Sequence, residues 1–250
     1  MVVLKTGRGL KIMREACRIS AGALKIAGSA VEPGVTTAEI DKIAEDYIRS
    51  QGGVPNFKNY EGYPATACIS INNEVIHGIP SDKRRIVEGD IVSIDLGAMF
   101  DGYHGDNAAT FACGDVSAEA KRLMEVTHDA LYKGIGVAVV GGRIGDIGHA
   151  VQSYVEANGF SVVRQFVGHG VGTHLHEAPE VPNFGTQGHG IRLMPGMTIA
   201  IEPMVNIGKP EVKIMPDGWT TLTRDGSLSA HFEHTIAITP DGPQIMTVAD

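Results

Sequence analysis

Two segments of this chain repeat each other at a constant spacing, and that repetition restricts the fold more than any other feature. Thr36-x-x-Glu39 is a capping-box pattern, followed by an apolar stripe of Ile40, Ile43, Ala44, Tyr47 and Ile48 and closed by Gly52. Asp146, Ile147, Ala150, Tyr154, Val155 and Gly159 repeat the design. Asp146 lies 107 positions after Glu39, as Ile147 does after Ile40, Tyr154 after Tyr47 and Gly159 after Gly52. Each copy follows an earlier apolar, helix-compatible segment, near residues 8–30 and 117–140. The same offset of 107 carries Gly89-Asp-Ile-Val-Ser-Ile-Asp95 onto Gly196-Met-Thr-Ile-Ala-Ile-Glu202. Two amphipathic helices resemble each other by chance often enough; chance does not readily give two separate stretches one offset. The chain reads as a duplicated helix–helix–strands unit, one α+β domain over residues 1–250 with halves of about 1–115 and 116–250. If both strand sets join one curved sheet, the pseudo-twofold relation brings Asp95 and Glu202 to a central cleft.

The strands carry carboxylates where apolar residues belong. Asp95 interrupts the run Ile91, Val92, Ile94, Leu96, and Asp106 lies in the return segment after Asp101-Gly102, a strong hairpin cue. With Asp-Gly as the loop, Phe100 pairs with Tyr103 and Asp95 opposes Ala108. Asp106 is then one diagonal step from Asp95 on the same face, within roughly 8 Å backbone to backbone. Two ionised carboxylates at that distance repel and are costly to desolvate, and a cation between them removes both problems. The competing reading, in which one Asp caps a turn and the other faces water, is equally open from the hairpin alone.

Two more carboxylates sit in strand-like context: Glu202 in IAIEPM and Glu233 in HFEHTIAIT, residues 231–239. His169 follows an apolar run in QFVGHGVG, with glycines on both sides that let the backbone bend. Alone it would read as a turn histidine; beside four strand carboxylates it reads as a ligand. Four negative charges with a neutral imidazole balance two divalent cations, and two ions about 3.5–4 Å apart require bridging carboxylates. Oxygen donors with one imidazole suit Mn²⁺, Fe²⁺, Co²⁺ or Zn²⁺ without choosing among them.

The bulk numbers agree with a globular enzyme. A mean hydropathy of +0.01 and 43% apolar residues are ordinary, and a net charge of −8 without a basic run argues against nucleic acid as substrate. No apolar stretch approaches the ~20 residues of a membrane span, and MVVLKTGRGLK is no signal peptide. Cys17, Cys68 and Cys113 form a sparse, odd set that suits a reducing cytoplasm.

Nearly the whole chain resembles the type I methionine aminopeptidases, in their short bacterial form. The resemblance rests on YEGYPATACISINNEVIHGIP (60–80), the Asp95/Asp106 hairpin, VGHGVGTHLHEAPEVPNFG (167–185), IAIEPM (199–204) and DGWTTLTRDGSLSAHFEHTIAIT (217–239). It implies the pita-bread fold, a curved antiparallel sheet covered by two pseudo-twofold-related helix pairs. It implies two divalent ions on Asp95, Asp106, His169, Glu202 and Glu233, the five residues reached above. It adds His77 and His176 as catalytic and substrate-binding groups beside Glu202, which acts as general base. By itself, each of these two histidines reads as a surface or packing residue.

The resemblance further points to Tyr60, Tyr63, Cys68, Leu175 and Trp219 as a methionine pocket, where aromatic faces and a polarizable thiol suit a thioether. Each is equally an ordinary packing residue. Asn72 and Ser229 match a monovalent-cation site of relatives, and both are also normal turn residues. Two positions depart from the family pattern: Glu61 stands where many relatives have His, and Leu175 where some have Phe. The implied activity is removal of the initiator methionine from nascent chains whose second residue is small, with transient ribosome contact; such relatives are mostly monomers. The alternatives are an X-Pro aminopeptidase or dipeptidase of the same fold, and a relative that binds peptides without catalysis. The latter lose ligands, whereas all five positions here are ligand-competent.

Overall fold

The computed structural model describes residues 2–249. Four long helices lie in two pairs: α1 (Gly7–Ser29) and α2 (Thr37–Ser50), then α3 (Ala118–Gly136) and α4 (Ile144–Ala157). The sequence offset reappears in the backbone, since α2 and α4 both start and end 107 residues apart and α1 and α3 end 107 apart. Glu39 closes a capping box on Thr36, accepting the Thr36 N–H at 2.8 Å while the Thr36 hydroxyl accepts from Glu39 N at 3.2 Å. In the second copy Asp146 likewise accepts from Arg143 N at 2.7 Å, but Arg143 has no side-chain acceptor to return the bond.

The correspondence extends to strand register. Val54–Pro55 pairs with Met99 and Ala98, and Ser161–Val162 pairs with Asn206 and Val205, every partner shifted by 107 residues. The isolated bridges Thr36–Arg85 and Arg143–Arg192 obey the same shift of 107.

The principal sheet is antiparallel throughout. From one edge its strands run Val54–Pro55, Ile91–Phe100, Tyr103–Ala112, Glu233–Thr239, Thr198–Ile201, Gly168–Gly170 and Glu177–Val181. Ala67–Ile71 adds to Ile91–Phe100, and Gly242–Ile245 to Glu233–Thr239. The hairpin has the expected register, with Phe100 on Tyr103, Asp95 on Ala108 and Gly97 on Asp106. The two halves of the sheet meet where Glu233 pairs with Ala108 and His234 with Asn107. Ala108 is thus flanked by Asp95 on one neighbouring strand and Glu233 on the other, and residues in one row share a face.

Each helix pair buries its apolar stripe on one half of the sheet. Ile19, Ile40, Ala44 and Ile48 pack on Ile69, Ile94 and Leu96; Leu131 and Ile147 pack on Ile199, Ile201 and Ile236. The α1 helix approaches the hairpin closely. A Cβ on Gly105 would lie 2.5 Å from Cys17 Cα, so only glycine admits this contact.

One segment differs from its sequence reading. Residues 231–239 read as a single strand, yet the chain breaks at Phe232, so Ser229–His231 pairs with Met204–Asn206 in a separate three-stranded sheet. The facing segment breaks at the same level, between Thr198–Ile201 and Met204–Asn206, where Pro203 supplies no N–H to a ladder. Glu202 lies in one break, and His231 and Glu233 border the other.

Candidate metal centre and substrate cavity

The row geometry delivers the acidic residues to one spot. Asp95 and Glu233 straddle Ala108, Asp106 lies two residues along the same strand face, and Glu202 emerges at the end of Thr198–Ile201. Thr235 locks this arrangement: its hydroxyl accepts from Asp106 N at 3.2 Å and donates to Asp106 O at 2.8 Å. His169 comes from the next strand. Ligand atoms of Asp106, His169 and Glu233 all lie within 4.8 Å of one another.

The His169 ring has a determinable tautomer. Its Nδ1 lies 2.8 Å from Gly170 O, a carbonyl that can only accept, so Nδ1 carries the proton. The Nε2 lone pair then faces Asp106 Oδ2 and Glu202 Oε1, both at 3.7 Å. Two carboxyl oxygens and one imidazole lone pair thus converge on one point. Asp95 Oδ1, Asp106 Oδ1 and Glu233 Oε1 are buried and have no hydrogen-bond partner. Buried carboxylate oxygens left in that state cost several kcal/mol. A divalent cation is the group that satisfies oxygen donors and an imidazole lone pair together, so the residues fit one.

The electrostatics carry the same message. Burial, with no compensating cation, pushes Asp95 up to about 7. Burial also raises Asp106, Glu202 and Glu233 well above the usual carboxylate range, and the charge of Asp95 adds to it at all three. Burial and the neighbouring His176 ring hold His169 down at about 3, so the imidazole stays neutral and able to donate its lone pair.

A cavity of about 140 Å³ opens onto this cluster. Asp95, Asp106, His169, Glu202 and Glu233 line its floor; Tyr60, Tyr63, Cys68, His77, Leu175, His176 and Trp219 line the rest. All twelve residues singled out from the sequence as divalent-metal, catalytic or pocket groups therefore share one cavity. Cys68 pairs directly with Asp95 across the sheet. Tyr63 is buried, its hydroxyl shared between Ala67 O at 3.1 Å and Gly78 O at 3.0 Å, and its ring meets Trp219 edge to face. At the rim, Tyr60 Oη lies 3.0 Å from His176 Nδ1, and the His176 ring stands edge-on to His169 with centroids 4.2 Å apart. His77 occupies a left-handed conformation, φ 60°, wedged between Phe166 and Trp219. Burial holds it down at about 4.

Asn72 and Ser229 meet through a Ser229 N–H to Asn72 O bond of 2.9 Å. Their side chains are already engaged: Asn72 with Asp90 and Ile91, Ser229 with Val205 O. Glu61, at φ 49°, lies exposed at the cavity mouth. Sequence reasoning missed Phe57 in the lining and Phe166 beside His77. It also missed His231, whose Nε2 lies 3.8 Å from Glu202 Oε2. No local pattern in HFEH marks it.

Comparison with known proteins identifies the family. The description of metallopeptidase family M24 matches residues 11–240. A methionine aminopeptidase of Clostridium acetobutylicum is 49% identical over 250 residues, covering 100% of both chains. Methionine aminopeptidase 1 of Bacillus subtilis is 51% identical over 247 residues, 99% of each. The crystal structure of a methionine aminopeptidase from Thermotoga maritima superposes with a TM-score of 0.98 at 43% identity, covering 99% of each chain. With a pita-bread α+β fold and matches that run the length of both partners, the chain belongs to metallopeptidase family M24, among its methionine aminopeptidases.

Proposed function

We propose that this hydrolase removes the initiator methionine from nascent polypeptides whose second residue is small, as one catalytic domain of two halves, about 1–115 and 116–250. Asp95, Asp106, His169, Glu202 and Glu233 would hold two divalent ions. The observation that carries this reading is the convergence of orphaned carboxylate oxygens and a neutral imidazole from both halves on the floor of one cavity. When bound, the ions supply Lewis-acid charge and make a water acidic enough to attack at neutral pH.

The chain's own residues do the rest. Glu202 takes the proton of the attacking water as general base. His176, oriented by the Tyr60 hydroxyl at 3.0 Å, donates to the oxyanion as it develops. His77, kept neutral by burial, hydrogen-bonds the scissile amide or the leaving nitrogen. Tyr60, Tyr63, Cys68, Leu175 and Trp219 hold the methionine side chain and exclude water. The free N-terminal amine of the substrate is anchored at the acidic floor, which accounts for exopeptidase action.

The test is mass spectrometry of Met-Ala-Ser and Ala-Pro-type peptides with Mn²⁺, Fe²⁺, Co²⁺ or Zn²⁺ in turn, under reducing conditions. Methionine is released from Met-Ala-Ser, only with a divalent ion, and Ala-Pro stays intact. Preferential cleavage of Ala-Pro, or undiminished turnover in chelator, would overturn the reading.

A further inference from the structure

His231 is 1% exposed, and neither ring nitrogen has a hydrogen-bond partner. Such a group is unusual, because a buried imidazole left unpaired costs a few kcal/mol. Its backbone is fixed from both sides: Thr110 Oγ1 accepts from His231 N at 2.9 Å and donates to His231 O at 2.9 Å. Thr110 is on the strand that carries Asp106, so the ring is held in register with the acidic row.

The Glu202 carboxylate lies between two imidazoles. Its Oε1 is 3.7 Å from His169 Nε2, and its Oε2 is 3.8 Å from His231 Nε2. On the His169 side the facing nitrogen is a lone pair, because its proton is committed to Gly170 O. On the His231 side nothing competes for the proton, so the tautomer with hydrogen on Nε2 is the one a carboxylate selects.

We propose that His231 is a positioning residue: its Nε2–H holds Glu202 Oε2, which turns Oε1 toward His169 and Asp106 and sets the orientation in which Glu202 meets the metal. This rests on the proposed metal reading. A ligand carboxylate gripped on one oxygen presents the other in a defined direction, and such outer partners are worth about 10–100-fold in metal affinity or activity. The break at Phe232 serves the same end, since it pairs His231 with Met204, two residues after Glu202.

The experiment compares His231→Leu, His231→Gln and His231→Asn with the native chain, each loaded with Co²⁺. Gln carries its amide N–H near the Nε2 position, Asn near Nδ1, and Leu keeps the volume without a donor. The readouts are the Co²⁺ absorption spectrum, the Co²⁺ dissociation constant, and kcat and KM on Met-Ala-Ser. The Leu and Asn variants should show an altered spectrum and a loss of 10-fold or more in affinity or kcat with KM little changed, while Gln stays within about threefold of native. A Leu variant with native spectrum, affinity and kcat overturns the proposal, as does a Gln variant as impaired as Leu. If the native chain itself takes up no Co²⁺, the metal reading fails instead, and the two failures are told apart.

Discussion

Stripping the site of metal should turn it into a proton store. In the metal-free chain burial pushes Asp95 up to about 7, and Asp106, Glu202 and Glu233 are raised well above the usual range. An ion binds only ionised carboxylates, so loading must expel the protons they hold. With a pKa near 7, Asp95 is about nine-tenths protonated at pH 6 and about one-tenth at pH 8. Asp95 alone then releases about one proton at pH 6, and the other three carboxyls add to it. The stability consequence follows from the direction of the shift. A carboxyl whose folded pKa lies above its unfolded value of about 4 stabilises the fold below that value, and this contribution is lost as pH rises toward the folded pKa. For Asp95 the loss between pH 4 and 7 is at most about 4 kcal/mol at about 1.4 per pH unit. Calorimetric titration of chelator-treated protein in buffers of different ionisation enthalpy counts the protons. About one proton per chain or more should appear at pH 6 and fewer at pH 8, and the metal-free Tm should fall across that range while the loaded Tm stays nearly level. No net proton release at pH 6 would refute the reasoning.

Other perturbations follow from particular contacts. Gly105→Ala would place a Cβ 2.5 Å from Cys17 Cα and 2.6 Å from Cys17 N, driving α1 off the hairpin; thermal unfolding should show a loss of about 1–3 kcal/mol or more, with weaker metal binding because Asp106 is adjacent. Lys5 and Glu177 form a buried ion pair, with side chains 3% and 6% exposed. Lys5→Met strands the Glu177 charge and should cost about 3–5 kcal/mol in denaturant titrations, whereas adding Glu177→Leu should recover most of it. Glu233→Ala should abolish metal content and activity together, while His77→Ala should keep the metal by mass spectrometry and lower kcat; a fully metal-loaded, active Glu233→Ala protein would contradict the ligand assignment.

Much of this architecture is legible in the sequence because two periodicities overlap. The 3.6-residue stripe marks α2 and α4, and the offset of 107 residues shows that they are equivalent, which implies the paired helices and the shared sheet. Asp95 and Asp106 are legible because a carboxylate in an apolar strand is costly enough to require a reason, and Asp101-Gly102 fixes the register. The resemblance supplied His77 and His176, since neither has a local signature; the left-handed backbone of His77 reflects its wedge between Phe166 and Trp219, contacts between residues far apart in the chain. His231 was illegible for a different reason. Its meaning depends on the interruption at Phe232, and an alternating apolar run gives no warning of where a strand changes sheets.

The seam between the two halves has a mechanical consequence. In the principal sheet Glu233 pairs with Ala108 and His234 with Asn107 across it, assisted by Thr235 on Asp106, and in a second sheet Thr221–Thr223 pairs with Glu74–Ile76. Cations seated among Asp95 and Asp106 from one half and His169, Glu202 and Glu233 from the other would act as rivets. Loading should then bind the halves into one cooperative unit, and the amides flanking Ala108 and His234 should slow their hydrogen exchange together, more than amides deep in either helix pair.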